Sequence, residues 1–134
     1  MADPRAQGWE PLEYVDDFTT LVGPLWARGS GAQCEYGFVV ERKHISRFSR
    51  LHGAMVMWLA DKAMSMAAWE AAGQPEQFAT LQLDTQFIRV VQEGAFVHAQ
   101  CEVVRRTRSI VFVKATLLSD GEPVASTTGI WKFR

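Results

Sequence analysis

The segment Gly53–Trp69 constrains the fold of this chain most strongly, because its apolar residues run all the way round a predicted helix. It contains only two charged residues, Asp61 and Lys62. A helix of this kind is buried on nearly every side, and it is too short to cross a bilayer. The sequence therefore predicts a central helix over residues 53–71, enclosed by a curled antiparallel sheet.

Alternating apolar and polar residues predict one strand before the central helix and four strands after it. Turns too short to hold crossover helices separate the last four strands, so we expect consecutive strands to be antiparallel neighbours. The predicted fold class is α+β, with a single sheet of about five strands. The five segments are 33–41, 80–87, 95–103, 111–117 and 124–133.

A length of 134 residues predicts one domain, spanning residues 1–134. Pro4, Gly8 and Pro11 predict a loose N-terminal arm over residues 1–11. Apolar residues at roughly helical spacing predict a short helix over residues 12–22, which Gly23-Pro24 ends.

Charge balance and cysteine content indicate which partners and which cellular compartment the chain fits. The chain has 14 basic and 15 acidic residues, a balance that favours neither nucleic acid nor an anionic membrane as a partner. Its two cysteines, Cys34 and Cys101, are too few for a disulfide framework and fit a reducing compartment. Metal-ligand spacing, a signal peptide and a membrane-spanning stretch are all lacking, so we expect a cytoplasmic protein without a metal site.

Asp61 is the unusual residue of the central helix. Its helical face carries mainly apolar residues, and Ser65 is the only polar one. Asp61 could pair with a cation or reach solvent at the helix edge, which would make it an ordinary structural residue. Consecutive helix residues point about 100° apart, however, so Lys62 is badly placed to pair with it. A functional carboxylate is therefore the favoured interpretation.

The start of the same helix supplies a second chemical element. The first amides of a helix are free, so those at Gly53 and Ala54 can stabilise a carbonyl oxygen that gains negative charge. Gly53 lies eight residues before Asp61, which corresponds to about 12 Å of axial rise. One protomer therefore cannot bring both groups to the same bond, and a homodimer is predicted.

The residues that carry this chemistry resemble a known family. The run HISRFSRLHGA, residues 44–54, and the later Leu59-Ala60-Asp61 are similar to the active-site segment of hot-dog-fold acyl-CoA thioesterases. The PaaI-like subgroup (phenylacetate-pathway type), related to 4-hydroxybenzoyl-CoA thioesterases, is the most similar. Its usual pattern has Asn, Gly and a second Gly at the positions of Ser46, Ser49 and Ala54.

The resemblance implies a helix wrapped by a sheet, and dimers that pair two sheets edge to edge with both active sites at the interface. It implies that Asp61 is the general base or nucleophile and that the Gly53 amide polarises the thioester carbonyl. His52 would shape the loop and orient water, and the Thr80 hydroxyl would assist the attacking water. Ser46 stands at the Asn position, where it would help to place that water.

The expected substrate is an acyl-CoA, with coenzyme A as part of the substrate and no separate cofactor. The assembly expected is an obligate homodimer that pairs further into a homotetramer. The basic turn at residues 105–108 could hold the phosphates of coenzyme A, although a solvated hairpin tip would have the same composition. The candidate substrate-binding residues are Ala54, Met57, Trp58, Ser65, Arg105, Arg106 and Arg108.

Two other functions fit parts of the sequence. A hot-dog dehydratase or hydratase needs an acid–histidine pair at another spacing, and the motif Gly-Asp-x-Asn-Pro-x-His is missing from the sequence. A non-catalytic acyl-CoA-binding protein of the same fold is the main alternative, because Ser46 and Ala54 depart from the family pattern.

Overall fold

A computed structural model gives the structure of the protein and describes residues 3–134. One long helix lies against a seven-stranded antiparallel sheet whose strand order is β1-β2-β3-β5-β6-β7-β4. The elements are β1 Glu10–Pro11, α1 Asp17–Val22, β2 Trp26–Arg28, β3 Glu35–Val39, α2 Gly53–Ala71, β4 Phe78–Phe87, β5 Phe96–Arg106, β6 Ile110–Ser119 and β7 Glu122–Phe133.

Helix α2 has the predicted bounds and forms the centre of the molecule. It packs against β3, β4, β5, β6 and β7, so the sheet curls around it as expected. One face of α2 is buried in the core, and among its residues only Ala54 is exposed. The core between helix and sheet is built on fully buried side chains: Phe38, Leu59, Met64, Val97, Val111, Leu117 and Trp131.

The sheet has two strands more than the five that were predicted. The additional strands, β1 and β2, are only two and three residues long, and they extend the sheet beyond β3. Segments this short carry no alternation that a sequence pattern could reveal.

One predicted strand pairing is wrong. β4 was expected beside β5, but it pairs with β7 at the opposite edge of the sheet. The connection between β4 and β5 does not turn back at once. It passes the start of α2, where the Leu51 amide donates to the Val91 carbonyl and the Ile88 amide donates to the Val124 carbonyl. The pairings of β5 with β6 and β6 with β7 follow the prediction.

The predicted loose N-terminal arm is also wrong; its residues 1 and 2 lie outside the described residues. A 3₁₀ turn forms at Pro4–Gln7, and β1 then pairs with β2. Trp9 is only 1% exposed. Its ring packs edge-on against Phe96 at 4.9 Å between centroids, and the Arg28 guanidinium lies 4.5 Å from its centroid. Burial of this one large side chain fixes the arm on the sheet.

The short helix predicted over residues 12–22 is shorter in the structure, where α1 begins at Asp17. The Asp16 side chain accepts a hydrogen bond from the Thr19 amide at 2.7 Å and caps the helix there. Before it, the Leu12 amide is committed to the Leu25 carbonyl in an extended segment.

Among the described residues, no helix is both long and apolar enough to cross a membrane.

Replacing Trp9 with alanine is expected to lower the free energy of unfolding by about 3–5 kcal/mol, because it empties a buried site. The matched control is Gln7→Ala, which removes an exposed side chain of the same segment and should change stability by less than about 0.5 kcal/mol. Urea denaturation of both variants provides the measurement. Equal stability of Trp9→Ala and wild type would show that the arm is not anchored.

Candidate active site

Asp61 lies midway along α2 on the half-buried side of the helix. Its Oδ1 accepts two hydrogen bonds, from the Ser65 hydroxyl at 3.3 Å and from the Thr80 hydroxyl at 2.8 Å. Ser65 is one helical turn further along, and Thr80 comes from β4. Within residues 3–134, Oδ2 has no hydrogen-bond partner. One oxygen of the carboxylate is thus fixed and the other is available.

Trp131 of β7 holds the Ser65 side chain in place. Its indole N–H donates to the Ser65 hydroxyl at 2.9 Å, and its side chain is fully buried. The ring lies over Gly129, where an added Cβ would come within 2.5 Å of it. Gly129 therefore leaves the space that the indole occupies. Trp131 was not among the predicted site residues, because no local pattern links it to Ser65.

An irregularity in β4 places Thr80. Thr80 pairs with Trp131 and Gln82 pairs with Ile130, so Leu81 is an extra residue in the ladder. Such a bulge redirects the neighbouring side chains. It brings the Thr80 hydroxyl to Asp61, on the helix side of the sheet.

No cation pairs with Asp61 in the described part of the chain. Lys62 instead forms an ion pair with Asp16 at the start of α1, with 3.1 Å between Nζ and Oδ2. The backbone hydrogen bond from Thr19, and next to it the ammonium group of Lys62, lower the pKa of Asp16. This confirms that Lys62 does not neutralise Asp61, and it shows why: Lys62 points toward α1.

The start of α2 presents one free amide. The His52 ring accepts from the Ala54 amide at 3.1 Å through Nδ1, and the His52 carbonyl accepts from the Met55 amide at 2.9 Å. In residues 3–134 the Gly53 amide has no such partner. His52 is therefore the helix cap, and it leaves the Gly53 N–H as the donor at this helix end.

A cavity of about 250 Å³ opens beside this free amide. Its walls come from the loop before α2, the first turn of α2 and the connection after β4. They include Arg50, Gly53, Val56, Phe87 and Arg89. Asp61 does not line it, so within one protomer the amide and the carboxylate belong to separate parts of the surface.

Within residues 3–134, Thr80 and Ser65 are the predicted residues that hydrogen-bond to Asp61. The Ser46 hydroxyl accepts from the Phe48 amide at 3.2 Å, which makes it part of the loop itself. Trp58 packs against Phe38, with 5.6 Å between ring centroids. Met57 is half-buried and Ala54 is exposed on α2. Ser65 contacts Asp61 directly, as described above.

The basic turn at residues 105–108 lies at the opposite end of the sheet from Gly53. It joins the end of β5 to the start of β6, whereas α2 starts where β5 and β7 begin. Arg106 lies 5.1 Å from the ring centroid of Phe133. Arg105 and Arg108 are exposed. A role of these arginines in binding stays a prediction.

Within residues 3–134 no three His, Cys, Asp or Glu side chains cluster in a way that could hold a metal ion.

Comparison with known proteins places this site in a family. The sequence model of the Thioesterase superfamily matches residues 48–126, more than half of the chain, including Gly53, Asp61 and Thr80. The chain belongs to the thioesterase superfamily. A Pseudomonas aeruginosa protein named "Putative esterase PA0474" is 25% identical over 126 residues, covering 93% of this chain and 94% of that protein.

Solved structures of similar proteins share the fold. A variant of the phenylacetic acid degradation protein PaaI from Thermus thermophilus matches with a TM-score of 0.79 and 22% identity, covering 89% of this chain and 100% of that one. The protein smu.793 from Streptococcus mutans, solved with acetyl-CoA bound, matches with a TM-score of 0.78 and 15% identity, covering 92% and 95%. The predicted hot-dog fold and the resemblance to PaaI-type thioesterases are confirmed.

The hydrogen bonds around Asp61 predict unequal stability losses in this thioesterase-superfamily protein. Ser65→Ala leaves the buried Trp131 N–H without an acceptor and should lower the free energy of unfolding by about 1–3 kcal/mol. Thr80→Val removes an exposed hydroxyl and should cost less than about 1 kcal/mol. Urea denaturation measures both variants. A larger loss for Thr80→Val than for Ser65→Ala would contradict this description.

Proposed function

We propose that the protein is an acyl-CoA thioesterase, which hydrolyses an acyl-CoA to a free acid and coenzyme A. The observation that carries the proposal is the Asp61 carboxylate, held through Oδ1 by two hydroxyl donors with Oδ2 unpartnered in residues 3–134. Two hydroxyl donors orient a carboxylate without neutralising it. Membership of the thioesterase superfamily and the acetyl-CoA bound to the Streptococcus mutans protein support a CoA thioester as substrate.

The reaction needs a nucleophile and an oxyanion donor. Asp61 either takes a proton from a water that attacks the thioester carbonyl, or attacks that carbon itself to form an anhydride that water then hydrolyses. The Gly53 N–H donates to the carbonyl oxygen as it becomes negative. The C–S bond breaks, and the thiolate of coenzyme A takes up a proton as it leaves.

The Asp61 and Gly53 that act on one bond come from two subunits. About 12 Å of axial rise separates the two residues on one helix, and the cavity at Gly53 does not include Asp61. β4 pairs with β7 along one edge only, and Leu81 and Phe87 near the other edge are 57% and 59% exposed. A second copy that covers this edge brings two α2 helices together around a twofold axis. Further pairing into a homotetramer stays a prediction.

A non-catalytic acyl-CoA-binding role is the second candidate. It is favoured by Ser46, which stands at the family's Asn position and whose hydroxyl already accepts a hydrogen bond from the Phe48 amide of its own loop. Thiol release from a panel of short, medium, aromatic and long acyl-CoAs separates the two functions. Hydrolysis of any member supports the enzyme, and binding without hydrolysis supports the alternative.

Asp61→Asn should lower kcat by at least about a hundredfold, because the amide can neither take up the proton nor attack the carbonyl. The fold should survive, since an amide oxygen still accepts the bonds from Ser65 and Thr80. Asp120→Asn is the matched control: it makes the same chemical change in an exposed turn at φ 51°, a conformation that asparagine tolerates. Comparable kcat values for Asp61→Asn and wild type would exclude Asp61 as the reactive group.

Gly53→Pro tests the shared site. Proline is tolerated at the first helical position and lacks the N–H. His52 already has the extended backbone, φ −64° and ψ 133°, that a following proline requires. Gly53→Pro and Asp61→Asn should each be inactive alone. After unfolding and refolding together, they should recover about a quarter of wild-type activity, since half of the dimers then carry one complete site.

Failure of the mixture to exceed the two variants alone would contradict the shared site, provided that wild type regains its activity after the same treatment. Light scattering on each variant shows whether dimers have formed.

A further inference from the structure

Phe48 is a large aromatic residue that the fold leaves in solvent. Its side chain is 63% exposed, on the loop that leads into α2. Two guanidinium groups lie near its ring, that of Arg47 at 4.9 Å and that of Arg50 at 5.8 Å from the centroid. Core packing explains none of the three side chains, because all are exposed. They form an aromatic surface bordered by positive charge, the recognition platform.

The loop that carries the recognition platform is held in one shape. The Ser46 amide donates to the Arg50 carbonyl at 2.8 Å, and the Ser49 amide donates to the Ser46 carbonyl at 3.0 Å. The Ser46 hydroxyl accepts from the Phe48 amide. Ser49 adopts φ 62°, which is unfavourable for a serine and is kept because the loop is closed on both sides. A fixed loop can present an aromatic ring at low entropic cost on binding.

The recognition platform connects to the proposed oxyanion donor. Arg50 lines the cavity at the start of α2 together with Gly53, and Arg89 borders the same cavity from the connection after β4. The segment 42–53 carries four cationic residues and no acidic one, in a chain with a net charge of −1. Positive charge is therefore concentrated along the path that a substrate bound at the Gly53 amide would follow toward solvent.

We infer that the recognition platform binds the nucleotide end of coenzyme A, with the adenine stacked on Phe48 and the phosphates at Arg50 and Arg89. The inference rests on the proposed function, which places the thioester carbonyl at the Gly53 amide. From there the pantetheine chain occupies the cavity and carries the anionic end toward Arg50. Aromatic rings stack on nucleobases, and guanidinium groups match phosphate oxygens.

The occupant of the recognition platform is thus an adenine nucleotide with several phosphate charges. The alternative site for this nucleotide is the turn at residues 105–108, which lies at the other end of the sheet from the Gly53 of its own protomer. The two arrangements predict different arginine dependence, so the same assay can separate them.

The test compares one acyl group on two carriers, coenzyme A and N-acetylcysteamine, which lacks the nucleotide. Phe48→Leu and Arg50→Gln should each raise KM for the acyl-CoA roughly tenfold. Phe48 lies outside the cavity lining, so Phe48→Leu should leave KM for the N-acetylcysteamine thioester within about twofold. Phe48→Trp should retain the wild-type KM, because its ring still stacks. Arg5→Gln is the matched control: Arg5 lies 5.1 Å from the Trp26 ring on the N-terminal segment and its loss changes net charge equally.

Four results would overturn the inference. Equal rises in KM for both carriers would assign the loop to shaping the active site rather than to the nucleotide. Unchanged KM values in both loop variants would exclude the platform, and a rise with Arg105→Gln or Arg108→Gln would transfer the role to that turn. If Arg5→Gln raised KM for the acyl-CoA as much as the loop variants do, the rise would be an effect of net charge and not of the platform.

Direct calorimetric titration with adenosine 3′,5′-bisphosphate keeps the inference independent of turnover. Wild type and Phe48→Trp should bind it, and Phe48→Leu should bind roughly tenfold more weakly. Binding with this dependence but no hydrolysis of any acyl-CoA would refute the proposed enzyme and retain the platform. Equal affinity in all variants would refute the platform alone.

Discussion

The hydrogen-bonded chain from Trp131 through Ser65 to Asp61 is the interaction on which the site depends. The indole N–H is buried and must find an acceptor, and Ser65 is the acceptor that α2 offers. The serine hydrogen is then directed to Asp61, and Thr80 adds a second donor to the same oxygen. Core packing of β7 against α2 thereby fixes the orientation of a carboxylate on the half-buried side of the helix, and so determines which oxygen stays available for chemistry.

The central helix and its acid could be predicted because their signals are local. An apolar run with two charges indicates burial, and the spacing of Lys62 from Asp61 disfavours their pairing. The resemblance named Thr80 as a site residue, and the structure adds its hydrogen bond to Asp61 and the bulge at Leu81 beside it. Trp131 could not be assigned, because its bond to Ser65 joins residues 66 positions apart. Distance along the chain conceals such a pair even where each residue is correctly placed in its own element.

The errors at the N-terminus and in the sheet have a common cause. Pro4, Gly8 and Pro11 indicate local irregularity, which the structure has, but the arm is held by Trp9 packing on Phe96. The position of β4 likewise depends on the connection that follows it. Its Ile88 amide donates to β7, and its Val91 carbonyl accepts from the Leu51 amide before α2. Turn residues indicate where a chain can bend. They do not indicate which distant part of the protein the following segment packs against.

The middle and the start of α2 have different parts in the proposed reaction. Near its middle, Asp61 is oriented by the neutral hydroxyls of Ser65 and Thr80, which suits its proposed role as base or nucleophile. At its start, the free Gly53 amide and the arginines of the preceding loop provide positive potential without a cation close to Asp61 in the same protomer. Had Lys62 faced Asp61 instead of Asp16, an ion pair would have occupied the carboxylate that the proposed reaction needs. The Lys62–Asp16 ion pair, partly exposed and of small energetic value in itself, is therefore important chiefly for where it keeps the ammonium group.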